Sequence, residues 1–350
     1  MSTTAIKPAT QPSNQLIEVE IQGEWYYKIP HADSMRPFLI SMVSDSNHWL
    51  FQASNGGITA GRQNPDYALF PYDTDDKLID SAEHTGPKTI IRIQDGENTI
   101  TWEPFSIRSE ASCKTERNLY KSRWGNAILF EEIYPAAGLR FRYQWNSSDT
   151  YGFVRKASIS NLSGKPQKIS IIDGLQNILP YGVGQDLQQK VSNLTDAYKR
   201  SELQKEAGLG LYALSAIIVD KAEPSEALKA NIAWSMGLPN PVYLLSNRQL
   251  QAYRKGSPVR EEMDVKGEKG AYLIQSDFVL EAAGTKEWLV IANVNQSQPA
   301  IIRLMDEIKA NSNLQKDILA DIQKGTDQLI KRVAAADGLQ QSADRLKNSR

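Results

Sequence analysis

The strict alternation of large apolar and polar side chains over residues 139–146 constrains the fold more than any other feature of the sequence. The apolar residues are Leu139, Phe141, Tyr143 and Trp145, and the polar residues that alternate with them are Arg140, Arg142, Gln144 and Asn146. Successive side chains of a β-strand point to opposite faces of its sheet, so a period of two predicts a strand with one buried face. The segment therefore belongs to a sheet that packs one face on a core.

Short segments with strand character recur along most of the chain, without regular helical segments between them. They are residues 16–21, 25–29, 42–53, 89–94, 98–102, 127–134, 139–146, 151–160, 167–173, 209–219, 229–236, 271–280 and 287–293. So many strands at short spacing predict a mainly β fold, a large antiparallel two-sheet β-supersandwich. We also expect residues 151–160 and 167–173 to form a hairpin, and a short helix near residues 185–191.

The character of the sequence changes at Ser297, a good helix cap followed by Pro299 in the first turn. The apolar residues that then recur at helical spacing are Ile301, Leu304, Met305, Ile308, Leu314, Ile318, Leu319, Ile322, Leu329, Ile330 and Val333. This pattern predicts two linker helices, or one long helix interrupted near residues 311–313. Polar sequence follows, so part of the apolar stripe needs a cover that these residues do not supply.

These patterns divide the chain into four parts. We expect a disordered tail over residues 1–15, the β-supersandwich over 16–296, a helical linker over 297–336 and a polar tail over 337–350. An apolar helical stripe that is left uncovered after Ser297 indicates the N-terminal part of a longer protein. We therefore expect the helices to pack on the sandwich and to leave an apolar strip open.

Composition excludes several classes of function. The formal net charge of −1 and the lack of a basic block argue against nucleic acid as a partner. No apolar run is long enough for a membrane helix, and residues 1–15 lack the apolar core of a signal peptide. The single cysteine, Cys113, rules out an internal disulfide and suits a reducing compartment. We expect a soluble, cytoplasmic protein.

Motifs for common cofactors and catalytic sites are absent from the sequence. The three histidines do not form a metal-ligand pattern, and G-x-S-x-G, Walker and dinucleotide-binding motifs are missing. Neighbouring carboxylates such as Asp75 and Asp76 point different ways on a strand, so sequence cannot pair them as an acid and a base. We expect no cofactor, no metal and no catalytic residue.

Residues 47–77 combine turns, aromatic rings, planar donors and carboxylates, which are the groups that bind sugar hydroxyls and the apolar faces of sugar rings. The residues that we single out as sugar-binding candidates are Arg62, Asn64, Asp66 and Tyr72, with Trp124 as a stacking platform. The alternative is a long edge loop whose arginine is satisfied by the protein itself and whose acids cap turns. Residue types alone favour that alternative.

The chain resembles the N-terminal part of glycoside phosphorylases of the cellobiose phosphorylase type, glycoside hydrolase family 94 and its relatives, including the phosphorylase-like part of cyclic β-1,2-glucan synthases. The segments that carry the resemblance are residues 55–62 for an early strand and glycine turn, 155–161 and 169–173 for a hairpin, 193–197 and 211–214 for later strands, and the helices after Ser297. Together they span most of residues 40–335.

The resemblance implies a galactose-mutarotase-like sandwich, two linker helices and then an (α/α)6 barrel that carries the catalytic acid and the phosphate site. This sequence supplies the first two parts. The implied role is a non-catalytic module that shapes one side of a site for an oligosaccharide or β-glucoside, joins subunits as a homodimer, or both. The implied partner is the missing barrel.

A free-standing mutarotase or epimerase on the same sandwich is the alternative. Such an enzyme needs a histidine and a carboxylate that converge on the sugar ring oxygen and the anomeric hydroxyl. His48 and His84, with Glu83 or Glu281, are the groups available for this role. A histidine and a carboxylate on one concave sheet face would favour the enzyme, whereas an apolar face would count against it.

Overall fold

The computed structural model describes residues 17–96, 98–216 and 228–336. Within these ranges the chain is mainly antiparallel β-structure with helices at its C-terminal side, which confirms the predicted fold class. The expected tails at 1–15 and 337–350 lie outside the described residues. No helix in the described part is long and apolar enough to cross a membrane.

Twenty strands account for the β-structure of the described residues. They are β1 (Ile17–Ile21), β2 (Glu24–Ile29), β3 (Leu39–Met42), β4 (His48–Ala53), β5 (Ile58–Arg62), β6 (Ala68–Phe70), β7 (Gly86–Asp95), β8 (Asn98–Trp102), β9 (Glu116–Ser122), β10 (Ile128–Tyr134), β11 (Leu139–Ser148), β12 (Gly152–Asn161), β13 (Gln167–Ile178), β14 (Lys199–Gln204), β15 (Leu209–Leu214), β16 (Lys229–Met236), β17 (Val242–Leu244), β18 (Asp264–Lys266), β19 (Gly270–Leu280) and β20 (Thr285–Ser297).

The strands form three sheets. The large sheet has the order β1-β2-β9-β10-β11-β12-β20-β16-β15-β14-β18, the middle sheet β17-β19-β13-β7-β8 and the small sheet β3-β4-β5-β6. Side chains from all three meet in one apolar core. The alternation on β11 takes the predicted form, because Leu139, Phe141, Tyr143 and Trp145 are all buried in that core. The small sheet is an addition to the two expected sheets.

Four local expectations are wrong. Strands β12 and β13 do not form a hairpin, because β12 pairs with β11 and β20 while β13 pairs with β19 and β7. The short connection at 162–166 carries the chain from the large sheet to the middle sheet. Residues 42–53 are divided between β3 and β4, and residues 193–197 lie in a helix. The expected strand over 209–219 ends at Leu214, and its last residues lie outside the described ranges.

Seven α-helices complete the described structure. They are α1 (Asp75–Asp80), α2 (Ile107–Glu110), α3 (Gln185–Lys190), α4 (Ser192–Tyr198), α5 (Leu250–Arg254), α6 (Gln298–Ala310) and α7 (Leu314–Ala335). Ser297 is the N-cap residue of α6, and the helices break at residues 311–313, as predicted. The apolar stripe of α6 and α7, with Ile301, Leu314 and Ile318 buried, packs on the outer face of the large sheet.

A buried ion pair joins the large sheet to the middle sheet. Arg155 on β12 donates from Nη1 and Nη2 to the two carboxylate oxygens of Asp173 on β13, at 2.7 and 3.0 Å. Thr89 Oγ1 and Trp288 Nε1 also donate to this carboxylate, both at 2.6 Å. The guanidinium lies 4.6 Å from the centre of the Tyr143 ring, in cation–π contact. Both charged side chains are fully buried, so each depends on the other.

Replacing Asp173 by asparagine tests this dependence. Asp173→Asn keeps the shape of the side chain but leaves the Arg155 charge buried without a counter-charge. We expect the free energy of unfolding, measured by urea denaturation, to fall by about 3–5 kcal/mol. The matched control is Asp264→Asn, which breaks the exposed ion pair with Arg200 and should cost at most about 1 kcal/mol. Equal losses for the two variants would contradict the account.

Candidate functional site

Arg62 holds two loops together. Its Nε donates to Asn47 Oδ1 at 2.6 Å, Nη1 donates to the carbonyl oxygen of Asp149 at 3.1 Å, and Nη2 donates to Asp149 Oδ1 at 2.8 Å. Each of its three nitrogens therefore has a partner within the protein. The arginine joins the end of β5 to the turn between β11 and β12, and direct contact between Arg62 and a sugar stays a prediction.

Asn64 and Asp66 organise the next turn and reach a helix. Asn64 Oδ1 accepts the backbone N–H of Asp66 at 3.0 Å, which caps a single 3-10 turn. Asp66 Oδ1 in turn accepts the backbone N–H of Gln185, the first residue of α3, at 3.0 Å. These two residues position α3 against residues 47–77.

Tyr72 makes the second connection to α3. Its backbone N–H donates to Gln188 Oε1 at 3.1 Å, and its ring packs edge-on against Trp49 with 5.4 Å between the ring centres. Trp124 is half-buried in the turn between β9 and β10. None of the five predicted sugar-binding residues lines the cavity that α3 helps to form, so sugar contact by these five stays a prediction.

A cavity of about 390 Å³ lies beside α3 and α4. Its walls come from residues 71–85, the end of β13, the α3–α4 segment, the start of β14 and Lys269. The polar groups that line it are the amides of Asn177, Gln188, Gln189 and Asn193, the carboxylates of Asp73 and Asp196, the ammonium groups of Lys199 and Lys269, the ring of His84 and the hydroxyls of Ser81, Thr85, Ser192 and Thr195. Pro71, Leu78, Leu179 and Val183 add an apolar part. The cavity thus offers hydrogen-bond donors, acceptors and both signs of charge.

Asn177 is the most constrained residue of this cavity. It has a φ of 56°, in the left-handed region, and it lies where the pairing of β13 with β19 shifts between Gln176 and Ile178. Its Nδ2 donates to Thr85 Oγ1 at 2.9 Å. Bulges and left-handed non-glycine residues cost free energy and concentrate at functional sites, where they redirect a side chain. Here the bulge places the Asn177 amide in the wall of the cavity, where it binds Thr85.

Lys199 supplies a buried cation to the wall of the same cavity. Its Nζ lies 2.6 Å from Asp196 Oδ1, and only 7% of its side chain is exposed. Burial, reinforced by the charge of Lys269 and opposed by Asp196, holds the pKa of Lys199 below its usual range. The ion pair fixes both groups at the wall of the cavity.

The residues proposed for an epimerase lie in different settings. His84 lines the cavity, whereas His48 is buried, with its Nδ1 2.7 Å from Ser46 Oγ and its Nε2 without a partner in the described structure. Glu83 binds Lys88 and Ser106, which hold its pKa below the usual range although burial opposes the charged form. Glu281 is solvent-exposed beyond the end of β19.

In the described ranges, no cluster of three or more histidine, cysteine, aspartate or glutamate side chains is placed to hold a metal ion. Sequence reasoning missed Asn177, Lys199 and Lys269. The only local signal was the pair of amides at Gln176 and Asn177, which ends a long apolar strand.

Comparison with known proteins gives a likeness of fold. No family model and no curated protein matches the chain. A bacterial glucoamylase complexed with acarbose superposes with a TM-score of 0.50 at 10% identity, over 84% of this chain and 37% of the glucoamylase. This chain therefore spans little more than a third of that enzyme, and at this identity the similarity concerns the fold alone.

Two further structures are more distant. A protein assigned as a kojibiose phosphorylase, from the human microbiome, has a TM-score of 0.32 at 11% identity, over 74% of this chain and 26% of its own. A protein assigned as an aldose 1-epimerase, from Escherichia coli K12, has a TM-score of 0.37 at 9% identity, over 75% of this chain and 100% of its own.

The buried His48 predicts a specific dependence of stability on pH. Burial, reinforced by the charge of Arg62, lowers the pKa of His48 to about 3. In the unfolded chain the pKa is about 6.5. Between these two values the unfolded state binds the extra proton, so the free energy of unfolding decreases as the pH is lowered. Relative to His48→Gln, the free energy of unfolding of the wild type should drop by about 1.4 kcal/mol per pH unit below about pH 6.5.

The measurement is urea denaturation at several pH values between 4 and 7. His84→Gln is the matched control for loss of a histidine, since His84 is exposed. Parallel stability curves for the wild type and His48→Gln would show that His48 is not held neutral by burial.

Proposed function

We propose that this protein binds carbohydrate in the cavity beside α3 and α4, as a non-catalytic module of a carbohydrate-active enzyme of the glycoside phosphorylase type. The observation that carries the proposal is the amide of Asn177, held by a strained bulge at a cavity that is dense in polar groups. A left-handed residue other than glycine persists only where the surrounding structure maintains it, and here the bond to Thr85 and the shifted β13–β19 pairing hold the amide at the cavity wall.

The chemistry of the cavity suits a sugar ring. Its volume of about 390 Å³ is within the range of small-molecule sites, about 300–1,000 Å³. Amides such as Gln189 and Asn193 both donate and accept, as hydroxyls require, while carboxylates accept and ammonium groups donate. Pro71, which is half-buried, can meet the apolar face of the ring. A ligand with many hydroxyls uses all of these groups at once.

The accessory role also needs a partner surface. On the two C-terminal helices, Ile302 is 59% exposed and Leu319 is 42% exposed. We propose that these residues meet a further domain, which the resemblance identifies as an (α/α)6 barrel, or a second copy of the chain. The apolar side chains of α6 and α7 that pack on the large sheet would keep these contacts when the partner binds.

A second candidate function is an epimerase that works in the same cavity. It is favoured by one observation, namely that His84 lines the cavity together with Asp73 and Asp196. This arrangement supplies a histidine and carboxylates to one space, although the space lies beside two helices and not on a concave sheet face. Catalysis of anomer interconversion distinguishes the two functions.

Asn177→Gly tests the proposed site. Glycine accepts a positive φ without strain, which offsets the lost hydrogen bond to Thr85, so we expect the stability to stay within about 1 kcal/mol. The amide is lost, however, and calorimetric affinity for the sugar that binds best in a panel of monosaccharides and β-linked disaccharides should fall about tenfold or more. Asn240→Gly, at a φ of 43° in an exposed turn, is the matched control and should bind like the wild type.

Unchanged affinity in Asn177→Gly, or no saturable binding to the wild type, would contradict the proposed site. A separate NMR assay follows the interconversion of sugar anomers. Accelerated interconversion that His84→Gln abolishes would transfer the function to the epimerase. Binding without acceleration supports the accessory module.

A further inference from the structure

A second polar site lies on the outer face of the large sheet. It is a groove of about 330 Å³ whose floor is formed by strands β10, β11, β12 and β20. Helix α7 forms one side through Leu319 and Ile322, and the β1–β2 turn forms another. The groove shares no lining residue with the cavity beside α3, so the two sites can be tested separately.

Two of the three cations in the groove have a carboxylate partner. Arg142 Nε donates to Glu131 Oε2 at 2.6 Å. Lys156 Nζ lies 3.0 Å from Glu287 Oε1. These two cations are therefore neutralised within the protein and offer little charge to a ligand.

The third cation, Arg140, has no carboxylate within ion-pair distance in the described structure. Its one hydrogen bond there is a long one, 3.4 Å from Nη2 to Ser160 Oγ, and its Nε is buried without a partner. The nearby carboxylate of Glu24 accepts instead from the Tyr26 hydroxyl, at 2.7 Å. Arg140 thus carries a charge at the floor of a groove without an ion-pair partner of its own, and the charge of Glu131, which binds Arg142, favours it only in part.

This arrangement has a cost for the protein alone. Arg140 is half-buried, and burial together with the charge of Arg142 holds its pKa below the usual range, although Glu131 and Tyr120 oppose this shift. A partly desolvated cation is unfavourable unless an anion pairs with it. A guanidinium prefers a planar carboxylate, which it binds through two parallel hydrogen bonds.

The remaining lining defines the rest of the ligand. Ser160, opposite Arg140 in the β11–β12 register, and Thr285, which pairs with Ser160, present hydroxyl groups beside Arg140, and these groups match sugar hydroxyls. We propose that the groove binds an acidic sugar, a uronic acid residue whose carboxylate pairs with Arg140 and whose hydroxyls contact the polar floor.

Calorimetric titration of the full chain with glucuronate, glucose and acetate tests this proposal. The quantity to compare is the Arg140-dependent component, that is, the part of the wild-type binding that is absent in Arg140→Gln. We expect that component to be saturable for glucuronate and at least about tenfold weaker for glucose, which lacks the carboxylate, and for acetate, which lacks the hydroxyls. Arg140→Lys keeps the charge but loses the two-pronged geometry, so it should bind glucuronate with intermediate affinity.

Two controls separate this site from other effects. Arg303→Gln, at an exposed position on α6, should bind glucuronate like the wild type. Asn177→Gly should also keep the Arg140-dependent component, since that residue lines the other cavity. The melting temperature of Arg140→Gln should equal or exceed that of the wild type, because no ion pair is lost, whereas a structural arginine would lower it.

Three results would overturn the proposal. They are glucuronate affinity that Arg140→Gln leaves unchanged, acetate binding as tight as that of glucuronate, and no Arg140-dependent binding of glucuronate at all. If Arg140→Gln does not fold, the comparison of Arg140→Lys with Arg303→Gln decides between the same outcomes. Failure here leaves the cavity beside α3 untouched, since that site is tested with Asn177→Gly.

Discussion

The ion pair between Arg155 and Asp173 is the constraint on which the rest of the structure depends. Two buried charges must meet across the core, and their carboxylate also takes hydrogen bonds from Thr89 and Trp288. Side chains from both sheets converge on one group, so the sheets cannot slide relative to each other without leaving a buried charge unpaired. Strand β13 then continues from Asp173 to the bulge at Asn177, so the same strand that locks the sheets also delivers the amide to the cavity.

The cavity itself depends on residues 47–77, although in a different way from the prediction. Asp66 and Tyr72 bind α3 through Gln185 and Gln188, and so they hold one wall of the cavity in place. Arg62 joins the loop at Asn47 to the β11–β12 turn at Asp149. In our proposal, residues 47–77 therefore support the sugar site, and the residues that line the cavity contact the sugar.

Short-range sequence patterns correctly predicted the elements whose structure depends on neighbouring residues. The alternation over 139–146 and the helical spacing after Ser297 depend on nearby residues, and both elements have the predicted form. The prediction of a hairpin between residues 151–160 and 167–173 was wrong, because a connection as short as 162–166 can also carry a chain between two sheets. The cavity was out of reach, because its walls come from distant parts of the chain that only tertiary structure brings together. Arg62 likewise finds its partner at Asp149, far along the chain.

The central claim is that a sugar occupies the cavity beside α3 and α4. Hydrogen–deuterium exchange of the full chain, with and without the sugar that binds best in the panel, tests it most directly. The account predicts slower exchange in residues 71–85 and 177–199, whose backbone and side chains form the walls. Protection confined to other segments, or no protection at saturating sugar, would contradict it.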